Sequence, residues 1–268
     1  MAKCLIAGLP GAGKSTYIGA LAYLLQNPVD NQTMSYEDNP EDMSYLNKLS
    51  EPWLSMRLVD RTARGYVNSM DLSLIRKADE KTFGLSIPDI AGEDFLTVLQ
   101  KKTDVIKAWS EQPDTLLLFI NKWDSTVLAE EQGDLEPLDK TKEPTQFTTS
   151  QMLAEVQNVL LLKELHNLFH FKRIAIGLSS WDLYKDDYAT PLDMFEERSR
   201  FMYNFLKHYF PSAYIFGVSA QGAEYSDEEA LVDELMQKTI EGKRAFIVLA
   251  DGTQSNDLTL PLDYLLNE

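Results

Sequence analysis

The stretch Gly8-Leu9-Pro10-Gly11-Ala12-Gly13-Lys14-Ser15-Thr16 decides the fold, because it joins a short apolar run to a segment with helical periodicity. Its spacing is that of a phosphate-binding loop, whose backbone N–H groups turn inward around phosphate oxygens. Lys14 is expected to reach the β- and γ-phosphates, and Ser15 to bind Mg²⁺. The predicted contacts are completed by the loop residues Pro10, Gly11, Ala12, Gly13 and Thr16. The chain is therefore predicted to bind a nucleoside triphosphate.

The composition is strongly acidic, with a formal net charge of −17 over 268 residues. Nucleic acid and anionic membranes attract clustered Lys and Arg, so neither is expected as a partner. The length suits one elaborated domain over residues 1–268. The one cysteine, Cys4, lies in the predicted first strand and is interpreted as a small buried residue. Because the sequence shows neither a leader nor a long apolar run, we expect a cytoplasmic protein without membrane insertion.

Apolar periodicity predicts helices and strands in alternation. The first helix covers residues 14–26, and an extra helix begins near Asn39-Pro40 and ends near Arg57. Alternating apolar and polar residues over 66–76 and 82–88 predict a β-hairpin. The extra helix and the hairpin therefore separate the phosphate loop from the rest of the predicted sheet.

Three buried strands and four helices are predicted beyond the hairpin. The strands cover residues 115–120, 173–178 and 213–218. The helices cover Phe95 to Trp109, 150–169, Thr190 to Tyr209, and the segment from a capping box at Ser226 to Ile240. The apolar residues expected on the buried faces of these helices include Leu153, Leu160, Tyr209, Met236 and Ile240.

Strands that alternate with helices after a phosphate loop predict an α/β fold with a doubly wound, mostly parallel sheet. The hairpin is expected to add an antiparallel edge strand. Residues 129–148 are interpreted as a mobile acidic insertion, and residues 245–268 as a C-terminal extension packed on the domain. Because ligands bind at the carboxyl ends of the strands in such sheets, we expect motifs at those ends to converge.

A second motif, Asp89-Ile90-Ala91-Gly92-Glu93-Asp94, comes at the end of the hairpin. Asp89 is suited to hold Mg²⁺ through water, and the N–H of Gly92 is suited to contact the γ-phosphate. With this motif the chain resembles a Ras-like P-loop GTPase of the translation-factor-related class, in which Asp-x-x-Gly begins the second switch. That family often has Gln after the glycine to orient the attacking water. Here Glu93 takes its place, and a carboxylate also accepts a hydrogen bond from water.

The resemblance also implies a first switch before the hairpin. Thr62 is the candidate for its threonine, whose hydroxyl would bind Mg²⁺ and whose N–H would contact the γ-phosphate. Arg61 or Arg64 could act as an internal arginine finger, although the interpretation of either as a solvated loop charge is favoured. Trp53 and Phe95 flank the two switches and are interpreted either as core residues or as anchors of a partner interface.

Two segments compete for the recognition of the base. Asn121-Lys122-Trp123-Asp124 matches the guanine motif Asn-Lys-x-Asp of the family, but it follows the strand before the expected one. The next strand ends in Ser179-Ser180-Trp181-Asp182, where Asp182 has the required position and two serines replace Asn and Lys. Ser219-Ala220-Gln221 then resembles the Ser-Ala-Lys element, whose alanine N–H contacts the guanine carbonyl. Strand order therefore favours Asp182, with GTP preferred and ATP still open.

The chain also resembles the double-GTPase families of bacterial conflict and defence loci. Four features carry this resemblance: the extra helix, Arg61-Thr62, the Asp-x-x-Gly-Glu element and the C-terminal segment from Leu258 to Leu266. That similarity implies other protein subunits or a GTPase-associated protein as partners, and a role against phage. Two functions remain open: a switch that hydrolyses GTP, and a nucleotide-binding scaffold with little or no hydrolysis. An ATP-specific P-loop protein is a further alternative.

Overall fold

The computed structural model contains nine strands and eight helices in the residues that it describes. These residues are 3–38, 43–57, 68–89, 92–99, 113–121, 149–223 and 228–266. The strands are β1 (Cys4–Ala7), β2 (Met34–Tyr36), β3 (Asn68–Arg76), β4 (Thr82–Asp89), β5 (Thr115–Ile120), β6 (Arg173–Ser179), β7 (Tyr214–Ser219), β8 (Phe246–Val248) and β9 (Gln254–Ser255). The helices are α1 (Lys14–Gln26), α2 (Ser44–Leu54), α3 (Gly92–Leu99), α4 (Thr149–Phe169), α5 (Pro191–Arg198), α6 (Arg200–Tyr209), α7 (Glu229–Ile240) and α8 (Leu260–Leu266).

The main sheet has six strands in the order β1-β5-β6-β7-β8-β9. The first four strands are parallel, and β8 and β9 continue the sheet in antiparallel pairing. Every residue of β5 is buried, as expected for a parallel strand covered on both faces. The predicted fold class, a doubly wound and mostly parallel α/β sheet, is confirmed.

An apolar core lies on each face of the main sheet, and alternate residues of β1 divide between the two. Cys4 and Ile6 join the core that contains α1 and α2, whereas Leu5 and Ala7 join the core that contains α3 and α4. Burial raises the pKa of the Cys4 thiol to about 12, so the thiol stays protonated at neutral pH. Its interpretation as a small buried residue is confirmed.

The hairpin is present, but its expected place in the main sheet is wrong. β3 pairs with β4 and also with β2, and the three strands form a second, antiparallel sheet. β2 escapes prediction because it has only three residues in a polar stretch. Met34 of β2 is nevertheless fully buried, and its N–H donates to the hydroxyl of Thr259 at 3.1 Å.

The helix predicted from Thr190 to Tyr209 is two helices, α5 and α6, that are separated at Ser199. The buried carboxylate of Glu155 in α4 accepts the Ser199 hydroxyl at 2.9 Å and the N–H of Met202 at 2.8 Å. Glu155 thus supplies the N-terminal cap of α6 from another helix. A cap that comes from a distant residue leaves no local signal in the sequence.

Some expected helix faces are also wrong. Leu153 and Leu160 of α4 are exposed, while polar Glu155 and Asn158 are buried beside Leu162. Tyr209, Met236 and Ile240 are exposed as well. Apolar periodicity assigns the wrong face where a buried face includes hydrogen-bonded polar side chains. Within the described parts of the chain, no helix is both long enough and apolar enough to cross a bilayer.

The C-terminal residues contact α1 and the second sheet through polar groups. The hydroxyl of Tyr17 donates to the carbonyl of Leu258 at 2.7 Å, and the carboxylate of Asp257 accepts the N–H of Thr33 at 2.7 Å. Arg76 of β3 pairs with Asp263 of α8. These contacts hold the segment before α8, and α8 itself, beside the helix that follows the phosphate loop.

Candidate nucleotide-binding site

The phosphate loop occupies the turn between β1 and α1, and two of its glycines have neighbours that exclude a side chain. A Cβ at Gly8 would lie 2.7 Å from the carbonyl oxygen of Phe119 in β5. Gly13 has a φ of +85°, and a Cβ there would lie 2.9 Å from the hydroxyl oxygen of Ser179. The loop therefore fits against the ends of β5 and β6 only because these positions are glycine.

The N-terminus of α1 is suited to an anion. Gly13 provides no side-chain cap, and the first turn, which lies wholly within the described residues, contains no acidic side chain. The positive end of the helix dipole and the first N–H groups are therefore not neutralised by the helix's own side chains. This arrangement fits a phosphate group between β1 and α1.

Lys14 begins α1, and its ammonium group lies across the phosphate loop. Its Nζ donates to the carbonyl of Gly8 at 2.7 Å and to that of Leu9 at 3.4 Å. Nζ also lies 5.5 Å from the centre of the Phe95 ring. Phe95 is completely buried, so its interpretation as the anchor of a partner interface is wrong.

Polar side chains at the ends of β5 and β6 support the back of the loop. The amide of Asn121 donates to the carbonyl of Gly11 at 2.7 Å, and the hydroxyl of Ser180 donates to the amide oxygen of Asn121 at 3.1 Å. The hydroxyl of Ser179 donates to the carbonyl of Ala12 at 2.8 Å. These three residues hold the loop from the adjacent strand ends.

The sequence does not predict this supporting role of Asn121, Ser179 and Ser180. From the sequence, Asn121 is interpreted as the start of a guanine motif, and the two serines as replacements for Asn and Lys. Their position directly after parallel strands was the available signal, because the carboxyl ends of neighbouring parallel strands meet at one edge.

The structure brings Asp182 together with the Ser-Ala element. Asp182 lies in a short 3₁₀ turn, Trp181–Leu183, after β6. Its carboxylate accepts the hydroxyl of Ser219 at 2.5 Å, and the same hydroxyl accepts the N–H of Gly222 at 3.1 Å. Because β6 and β7 are neighbours in the sheet, Asp182 and Ala220 lie at adjacent strand ends.

The remaining predicted residues divide into two groups. Arg61, Thr62, Arg64 and Asp124 lie outside the described residues, as does the insertion 129–148. The backbone places Asp89 at the end of β4, while Gly92 and Glu93 begin α3.

Trp53 is buried near the end of α2, and its indole N–H donates to the carbonyl of Ala220 at 2.7 Å. Its interpretation as the anchor of a partner interface is therefore wrong.

The elements follow the chain in the order of a G domain: the phosphate loop, Asp-x-x-Gly after the hairpin, then Asp182 and Ala220 after successive parallel strands. This order defines a P-loop nucleotide-binding protein. The chain belongs to the Double-GTPase 1 family, whose model matches residues 5–265, and it is a GTP-binding protein. No curated protein matches the chain.

Among solved structures, the chain is similar to Roco2 RocCORdC of Methanosarcina barkeri, bound to GDP, with 12% identity and a TM-score of 0.36. That match covers 90% of this chain and 48% of the other, so the chain spans about half the length of the Roco protein. It is also similar to the signal recognition particle receptor SRb-GTP/SRX complex of Chaetomium thermophilum, with 16% identity and a TM-score of 0.44, covering 88% of this chain and 98% of that one.

Proposed function

We propose that the protein binds GTP with Mg²⁺ at this site, hydrolyses it to GDP and phosphate, and acts as a molecular switch in a protein assembly. The proposal is carried by two contacts that lie three residues apart in the chain. Ser179 contacts the phosphate loop, and Asp182 pairs with Ser219 at the neighbouring strand end. One continuous edge of the sheet thereby carries groups suited to both ends of a nucleotide.

The choice of base follows from hydrogen-bond polarity. The Asp182 carboxylate accepts the N1–H and 2-amino donors of guanine, and the N–H of Ala220 donates to the guanine O6. Adenine has an acceptor at N1 and lacks the 2-amino group, so it would place a lone pair against the carboxylate. A site built to hydrogen-bond donors rejects a ligand that lacks them, and the proposed site therefore prefers GTP to ATP.

The phosphate end uses charge and backbone donors. The N–H groups from Gly11 to Thr16 surround the phosphates, and Lys14 exchanges its loop carbonyls for phosphate oxygens. The hydroxyls of Ser15 and Thr62, with Asp89 acting through water, would form a hard oxygen donor set that suits Mg²⁺. Such a cation would neutralise negative charge on the bound triphosphate.

Hydrolysis requires an oriented water and stabilisation of the negative charge that develops on the γ-phosphate and the departing GDP. Glu93 accepts a hydrogen bond from the attacking water, and Arg61 places a guanidinium near the charge that develops. The N–H of Gly92 and that of Thr62 contact the γ-phosphate, so both contacts are lost after hydrolysis. The GTP-bound and GDP-bound forms therefore differ in a surface that protein partners can recognise. We infer that this switch operates in the cytoplasm and contributes to defence against phage.

Titration calorimetry with GTP, GDP, ATP and ADP in Mg²⁺ tests the choice of nucleotide. We expect the two guanine nucleotides to bind and the two adenine nucleotides to bind far more weakly. Asp182→Asn should shift preference toward xanthosine triphosphate, whose 2-oxo group accepts a hydrogen bond from the new amide. Asp186→Asn, in the exposed turn that follows, is the matched control. Equal binding of GTP and ATP would refute the base assignment.

Glu93 gives a reason to keep a second candidate, a scaffold that binds GTP with little or no turnover. Phosphate release by the wild type, Glu93→Gln and Glu93→Ala separates the two functions. A switch should lose turnover in Glu93→Ala and retain it in Glu93→Gln. Hydrogen exchange with a nonhydrolysable GTP analogue should also show protection of residues 58–66 and 90–98 relative to GDP. Absence of both effects would favour the scaffold.

A further inference from the structure

The proposed base loop, residues 219–222, is contacted by a side chain of helix α2. Trp53 of α2 has 1% of its surface exposed, and its indole N–H donates to the carbonyl of Ala220 at 2.7 Å. This hydrogen bond gives the buried indole N–H its acceptor, and it also fixes the direction of the Ala220 carbonyl.

Arg244 completes the contact from the segment before β8. Its guanidinium carbon lies 4.0 Å from the centre of the Trp53 ring, and its Nε donates to the carbonyl of Gln221 at 2.9 Å. Arg244 is 1% exposed, so both the stacking and the hydrogen bond are shielded from water. Trp53 and Arg244 thus bind two consecutive carbonyls of the base loop.

The remaining geometry of the loop leaves it little freedom. Gly222 has a φ of +92°, and a Cβ there would lie 2.6 Å from the carbonyl oxygen of Arg244. In a trans peptide the N–H points opposite to the C=O. When Trp53 binds the carbonyl of Ala220, the N–H of Gln221 is therefore turned away from Trp53. The direction of the Gln221 N–H therefore depends on a side chain of α2, that of Trp53.

We propose that Trp53 and Arg244 are positioning residues for recognition of the guanine O6. They hold residues 219–222 so that the N–H groups of Ala220 and Gln221 meet the O6, while Asp182 reads the neighbouring N1–H and 2-amino group on the same edge of guanine. The inference rests on the proposed function, because it assumes that Asp182 and Ala220 face guanine. It assigns part of the base selectivity to the extra helix.

Trp53→Phe tests the inference, because it retains an aromatic ring beside Arg244 and removes the indole N–H. The measurement is calorimetric affinity for GTP and two analogues. The first, 6-thio-GTP, changes only O6, to a larger and weaker acceptor. The second, ITP, lacks only the 2-amino group that Asp182 reads.

We expect Trp53→Phe to bind GTP about tenfold more weakly and to lose most of its preference for GTP over 6-thio-GTP. The preference for GTP over ITP should stay unchanged. Tyr23→Phe, at a ring 5.2 Å from that of Trp53, is the matched control and should keep both preferences. Arg244→Lys, which keeps the charge but loses the Nε–H and the planar stack, should act like Trp53→Phe.

Equal weakening toward all three nucleotides in the folded variants would mean a purely structural role and would overturn the inference. The same holds if the preference over 6-thio-GTP survives, or if neither variant folds with bound GDP while Tyr23→Phe does. Failure of the proposed function is distinct from these results: the wild type would then bind GTP and ATP equally, and Asp182→Asn would leave the preference unchanged.

Discussion

Gly19 in α1 lies against the backbone of Leu49 in α2, and a Cβ at Gly19 would be 2.5 Å from the carbonyl oxygen of Leu49. α1 begins at the phosphate loop, and α2 carries Trp53 to the loop at Ala220. The close contact of the two helices therefore joins the elements that hold the two ends of the proposed nucleotide site. A glycine is what allows this contact.

The first prediction is that Gly19→Ala destabilises the protein. In a helix this change usually stabilises by about 0.5–1 kcal/mol, because glycine loses more backbone freedom on folding. Here the new Cβ must push the Leu49 backbone away, at a cost of about 1–3 kcal/mol. Urea denaturation should show a lower free energy of unfolding for the variant. A gain in that free energy would show that the two helices are too far apart for this contact.

The second prediction concerns Lys14, whose Nζ contacts the carbonyls of Gly8 and Leu9. Lys14→Ala should abolish GTP binding or turnover, because no other residue of the loop carries a positive charge to the phosphates. Calorimetry and phosphate release measure the loss, and circular dichroism checks the fold. Lys81→Ala is the control. Lys81 is an exposed lysine directly before β4, so this variant should behave as the wild type. A Lys14→Ala protein that hydrolyses GTP at the parental rate would exclude the site.

The third prediction separates the two candidate base motifs. Asp182→Ala should weaken GTP binding by about 1–3 kcal/mol, since the guanine donors lose their acceptor. Asp124→Ala should change GTP binding far less. Its motif follows β5, the strand beside β1, whereas the guanine motif is expected after the next strand, β6. Calorimetry on both variants gives the comparison. Equal losses, or a larger loss in Asp124→Ala, would place the guanine contact at the earlier motif.

The fold class and the buried parallel strands could be predicted because their signals are local, whereas the separate sheet formed by the hairpin and β2 could not. The phosphate loop fixes the first βα unit, and the buried strands β5, β6 and β7 are continuous apolar runs within two residues of their predicted bounds. The misses have long-range causes. The cap that Glu155 gives to α6, and the hydrogen bond from the N–H of Met34 to Thr259, depend on residues distant in sequence.

The candidate site shows the same division. The order of strands predicts that Asp182 and Ser219 lie at neighbouring strand ends, but it does not predict the hydrogen bond between them. The contacts of Trp53 and Arg244 are not predicted either, because a tryptophan at helical spacing looks like any core residue, and Arg244 follows no motif. Only the folded chain shows that both side chains donate hydrogen bonds to two consecutive carbonyls of the base loop.

The last prediction concerns pH. His166 of α4 packs edge-on against Phe210 with ring centres 4.9 Å apart, and its buried Nδ1 has no hydrogen-bond partner among the described residues. Burial, and then the nearby His170, hold the pKa of His166 below its usual value of 6.5. The unfolded chain therefore binds more protons between the folded and unfolded pKa values, and stability is lost as pH falls below about 6.5 through the folded pKa.

His166→Phe replaces the imidazole with a ring that suits Phe210 and does not titrate. The free energy of unfolding, measured by urea between pH 7.5 and pH 5 in steps of about 0.5, should fall less steeply with acidification in the variant than in the wild type. Exposed carboxylates with lowered pKa values, such as that of Glu37, are present in both proteins and cancel in the comparison. The two curves should diverge progressively below about pH 6.5. Parallel curves would mean that His166 titrates alike in the folded and unfolded states.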